Sequence, residues 1–171
     1  MNFLKIKSSD HIQGSINASI ELIEYGDYQC SYCRQAHHVV KDLLQKLGEN
    51  LKFVFRNYPL EEIHLHALHA SIAAETAALH GKFWEMHDML YENQHDLDDS
   101  AIVSYALRIG LDPKMFEKEF GSQSTIDKIK YDIESGNRSG VQGTPSFFVN
   151  GEHFDGDWTN PQFFRYLKSL I

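Results

Sequence analysis

The chain has 171 residues, with 16 Lys+Arg against 24 Asp+Glu for a formal charge of −8. That length can bury a core without disulfide staples, and the acidic balance excludes nucleic acid or an anionic membrane surface as the main partner, since both demand a basic footprint. No run approaches the ~18 apolar residues of a membrane span, and the opening MNFLKIKSSD leads into no apolar signal segment, so a soluble, cytoplasmic protein is expected, with an exported protein whose signal has been removed as the alternative.

Residues 17–25 (NASIELIEY) are rich in β-branched and aromatic side chains and are apolar in both phases, which predicts a strand covered on both faces. Gly26 and Asp27 break it. From Cys30 onward, Cys33, Ala36, Val40, Leu43, Leu44 and Leu47 recur at helical spacing until Gly48 supplies a C-cap. Residues 51–58 (LKFVFRNY) predict a second strand, ended by Pro59, so residues 1–60 form a βαβ unit with parallel strands. Between 61 and 138 the pattern is helical throughout. It is broken at Gly81, at the polar run 95–100, at Gly110 and at Gly121, and Asp112-Pro113 reads as an N-cap followed by proline at the first helical position. Four or five helices are expected there. Residues 146–149 and 153–154 flank Asn150-Gly151, a two-residue hairpin signal. Asn160-Pro161 then starts a terminal helix whose Phe163, Phe164, Leu167, Leu170 and Ile171 are expected to cover the sheet. The predicted class is α/β, with 1–60 and 139–171 as one discontinuous domain and 61–138 as an all-helical domain inserted in it.

Both cysteines fall in Cys30-Ser31-Tyr32-Cys33, at the junction between strand and helix. A helix N-terminus presents unpaired N–H groups and partial positive charge, which can lower a cysteine pKa from about 8.5 into the range ~3.5 to 7.5. Cys30 is so placed and reads as the nucleophile. Cys33, one turn further in on the apolar stripe, reads as the shielded thiol that attacks a mixed disulfide on Cys30. A structural staple is unattractive, because so short a loop removes on the order of 2 kcal/mol of chain entropy against about 4.7 for a loop of 100 residues. A zinc site using His37, four residues after Cys33, lacks a second CxxC to complete it, so no metal site is expected. Two unreactive thiols at a helix start would be a coincidence of type and spacing.

Four further features bear on the site. Glu24 points with Ile20 and Leu22, which either buries it beneath the helix start, where it could exchange a proton with Cys33, or lets it reach solvent or Arg56. Thr144-Pro145 starts the third strand, and from the residues alone a trans bond is the default. His64, His66 and His69 read as solvated surface or cap histidines, because the first two cannot share a helix face. Phe83, Trp84, Met86, Leu90 and Tyr91 have helical spacing and read as insert core, or else as an aromatic substrate surface near the thiols.

The CxxC at a helix start, the helical insert with Gly81-Lys-Phe-Trp-Glu-Met-His-Asp, and Gly143-Thr-Pro-Ser-Phe-Phe-Val-Asn-Gly together resemble the DsbA-like thiol-disulfide oxidoreductases. The resemblance implies a thioredoxin-like fold carrying a helical insertion. It also implies a cis Pro145 beside the nucleophile, a Thr144 backbone that meets bound peptide, and a buried acid at Glu24. Ser31 and Tyr32 are the other expected substrate contacts. Oxidising periplasmic members have Pro-His between the cysteines where this chain has Ser31-Tyr32, and the direction of exchange stays open. The expected function is disulfide exchange with protein or peptide thiols and disulfides, with glutathione or another redox partner a further reactant and no cofactor. A redox-inactive peptide- or metal-binding module and a glutathione-dependent transferase or isomerase are the rival readings.

Overall fold

The computed structural model describes residues 3–159 and 161–171. Its strands are β1 (His11–Gly14), β2 (Ile20–Gly26), β3 (Leu51–Asn57), β4 (Ser146–Val149) and β5 (Glu152–His153), joined in one sheet in the order β1-β3-β2-β4-β5. The central β2 pairs in parallel with β3, Leu22 facing Phe53, and antiparallel with β4, Leu22 facing Val149. Alternation along β2 sends Ile20 and Leu22 into one apolar cluster and Ile23 and Tyr25 into another on the opposite face, so the strand is buried on both sides as its sequence requires.

The helix α1 (Ser31–Leu47) packs Cys33, Ala36, Val40, Leu43 and Leu47 on the first face and ends at Gly48. Five helices follow β3: α2 (Ala67–Ala78), α3 (Phe83–Glu92), α4 (Asp99–Arg108), α5 (Pro113–Glu119) and α6 (Gln123–Arg138). Asp98 and Asp112 cap α4 and α5 by accepting from Ala101 N and Met115 N, each at 2.8 Å. The insertion packs directly on the sheet and α1. A single apolar cluster runs from Leu22, Phe53 and Phe55 through α1 to Ala73, Phe83, Leu90, Tyr105 and Phe116.

Several expectations are corrected. The first strand begins at Ile20 rather than residue 17, and the edge strand β1, antiparallel to β3, escapes a reading by pattern because His-Ile-Gln-Gly is short and mostly polar. The hairpin's second strand is Glu152–His153, set by the Asn150-Gly151 turn, in which both residues have positive φ, 49° and 85°. The terminal helix α7 is Pro161–Lys168, and Asn160, its expected start, lies outside the described residues. Phe163 and Leu167 are buried, with Phe163 against Phe147 and Phe154. Leu170 and Ile171 follow the helix end and stay exposed, so they do not cover the sheet. Among the described residues no helix is long and apolar enough to cross a membrane.

Candidate functional site

Cys30 is the N-cap of α1, with extended backbone (φ −74°, ψ 123°) and a carbonyl that already accepts Arg34 N at 3.1 Å. Both cysteines are free thiols. Cys33 is fully buried, whereas Cys30 keeps 7% of its surface at the opening. Beside that opening stand Ser31 and Tyr32, the latter 61% exposed. Across it the Thr144-Pro145 peptide bond is cis, and the Cys30 thiol donates to Thr144 O at 3.5 Å. The backbone N–H of Asp27 donates to Cys33 Sγ, also at 3.5 Å.

The two sulfurs differ sharply in acidity. A hydrogen bond from the Cys33 thiol, with smaller contributions from Thr144 and from the N–H groups of Cys33 and Tyr32, holds Cys30 down to about 5 against the pull of partial burial. The helix N-terminus therefore contributes, but its neighbour's thiol contributes more. Burial first, then the same sulfur–sulfur hydrogen bond and the Glu24 charge, push Cys33 well above the ordinary thiol range.

Glu24 lies on the α1 face of β2, and burial, followed by the Cys30 charge, raises it to about 8. Its Oε1 has no hydrogen-bond partner. The alternative pairing with Arg56 does not occur. Arg56 projects to the other face of the sheet, where it meets Asp10 at 2.8 Å and Tyr25 Oη at 2.9 Å. Gly26 closes this side, since a Cβ there would lie 2.5 Å from the Phe55 ring and 3.1 Å from Glu24 Oε1.

The residues that hold the loop in place carry little sequence signal. Buried Asp27 accepts Gln29 N at 2.7 Å and Leu60 N at 2.8 Å, and its Oδ2 meets His64 Nδ1 at 2.8 Å. Gln29 Oε1 accepts His66 N at 2.7 Å. Gln94, from the connection after α3, donates to the carbonyls of Tyr28 and Cys30, both at 2.8 Å. His64 is thus tied to the site, while His66 precedes α2 as its N-cap and His69 pairs with the exposed Asp99. Phe83, Met86, Leu90 and Tyr91 are buried as core, and Trp84 is partly buried with its Nε1 donating to Ile12 O at 3.2 Å.

The model of the thioredoxin family matches residues 7–169. The chain belongs to that family. Its fold is shared with a thioredoxin-like oxidoreductase from Silicibacter pomeroyi, at a TM-score of 0.83 and 22% identity over 96% of this chain and 95% of the other. It is shared equally with the thiol-disulfide exchange protein alpha-DsbA2 from Wolbachia pipientis, at a TM-score of 0.84 and 19% identity over 96% and 89%. The thioredoxin-family chain is also 38% identical over 149 residues to the Na(+)/H(+) antiporter NhaA 1 of Salinispora arenicola, which is 87% of this chain but 23% of the antiporter. The chain therefore spans about a quarter of the length of that relative.

Proposed function

We propose that this thioredoxin-family protein exchanges disulfides with protein or peptide substrates through the Cys30–Cys33 couple. The observation that carries the reading is the split in acidity: Cys30 held down to about 5 at the opening, Cys33 pushed up and buried behind it. In the reductive direction the Cys30 thiolate attacks a substrate disulfide. The substrate S–S bond breaks, a mixed disulfide forms on Cys30, and the first substrate sulfur leaves and takes a proton. Cys33 then gives its proton to ionised Glu24 and attacks Cys30 Sγ. The second substrate thiol departs and the Cys30–Cys33 disulfide remains, having passed two electrons to the substrate. The oxidative direction is the reverse. Thr144 O accepts from Cys30 only while that thiol is protonated, so once Cys30 ionises the carbonyl is free for a substrate N–H, in the manner of β-augmentation. Pro145 has no N–H to set against the sulfurs, and Ser31 and Tyr32 form the near rim.

The test is the pH profile of iodoacetamide alkylation of the reduced protein, together with trapping of mixed disulfides. Cys30 is expected to be the only thiol that reacts quickly, with its midpoint near pH 5, and adducts are expected to accumulate in Cys33→Ala and not in Cys30→Ala. Failure to reduce insulin or oxidise a dithiol peptide would favour a binding module instead. Titration of the couple against glutathione reads its direction.

A further inference from the structure

We propose that His37, His87 and Asp88 form a binding site for a divalent transition metal of the zinc class, separate from the cysteine pair. The three side chains face one another where α1 packs on α3, and one ligand atom from each lies within 4.8 Å of the others. The ligand atoms of a tetrahedral zinc site stand about 3.3 Å apart, from bonds of about 2.0–2.1 Å. His37 Nε2 and Asp88 Oδ1, at 3.7 Å, are already near that spacing.

Each of the three side chains also has a contact outside the cluster. His37 is buried with its ring stacked on Tyr91 at 5.1 Å, and its Nε2 has no hydrogen-bond partner. His87, also buried, has its Nδ1 3.0 Å from Tyr28 Oη. Asp88 Oδ2 accepts from Lys41 Nζ at 2.9 Å, which leaves Oδ1. Such outer contacts are how a protein fixes the tautomer and direction of metal ligands. Lys41 opposes a cation, but it stands between two carboxylates, Asp88 and Glu92, that offset its charge. Two imidazole nitrogens and one carboxylate oxygen suit zinc rather than calcium or magnesium, which select oxygen. Asp88 is half-exposed, so a fourth position opens to water on its side. The CxxC does not enter the site, although Tyr28 lies two residues before Cys30 and His37 one turn after Cys33.

The experiment is calorimetric titration of Zn2+ into the full chain with Cys30 and Cys33 oxidised to a disulfide, which removes the thiolates as competing ligands. Uptake of one ion per chain is expected. His37→Gln and Asp88→Ala are each expected to weaken it by about tenfold or more, and Tyr28→Phe, which removes only the orienting contact, by about tenfold. No uptake by the oxidised protein would overturn the proposal. So would uptake that both ligand variants retain, since other histidines would then hold the ion. If His37→Gln does not fold, Asp88→Ala, changed on the half-exposed side, decides alone.

Discussion

Glu24 and Cys30 pull the pH dependence of stability in opposite directions. The folded carboxyl titrates at about 8 against an ordinary 4.5, so its contribution is complete below 4.5 and is lost as pH rises through 8. Cys30, at about 5 against an ordinary 9, contributes fully above 9 and loses that contribution as pH falls through 5. Replacing Glu24 with Gln removes the first slope. Relative to wild type, the variant is expected to gain stability between pH 4.5 and 7, by on the order of 3 kcal/mol in the pH-dependent part. Urea unfolding at both pH values checks this, and a constant difference would refute it. The same variant is expected to release a Cys30 mixed disulfide more slowly, by about a hundredfold if Glu24 is the base for Cys33. The sequence placed Glu24 on the right face of β2, because strand alternation is a local property. It could not choose between burial and Arg56, because Arg56's position on the opposite face depends on β3's register.

Among the elements, the connection after α3 governs the geometry of the α1 start. Gln94 has one amide nitrogen on two carbonyls, those of Tyr28 and Cys30. Gln94→Ala leaves both without that donor and is expected to cost about 1–3 kcal/mol. Gln94→Glu sets a charged acceptor against two acceptors and is expected to move the alkylation midpoint of Cys30 upward. An unshifted midpoint in the folded variant would show that the clamp does not position Cys30. The dipeptide between the cysteines makes a second handle. Tyr32→His adds an imidazole beside the thiolate and is expected to raise the reduction potential, measured against glutathione, with 30 mV equal to about 1.4 kcal/mol. The helices and central strands were legible because their apolar periods are long enough to read. Gln94, Asp27 and His64 were not, because each acts through a partner brought near only by the folded chain, and polar side chains in loops look alike in sequence.

At the scale of the whole molecule, the helical insertion and the sheet share a core. Phe55 meets Phe83 and His87 with ring centroids at 6.2 and 4.6 Å, and Phe53 meets Trp84 at 5.8 Å. Excising residues 61–138 would expose that face of β3. The sequence showed the chain leaving the sheet and returning to it, but periodicity cannot say whether an inserted segment keeps its own core or borrows its host's. A single heat-capacity peak with equal calorimetric and van't Hoff enthalpies is expected, and two peaks would mean independent units. The continuity of these rings also bears on how a substrate gains access. A lid needs a seam of low local stability along which to open, and here the face that α3 would have to uncover is the centre of the molecule. Backbone amides in β3 and α3 are therefore expected to exchange with solvent only through the same global opening, with matching free energies. In the proposed exchange, a thiol or disulfide would then meet Cys30 on a surface already formed, selected by its shape and not by a gate.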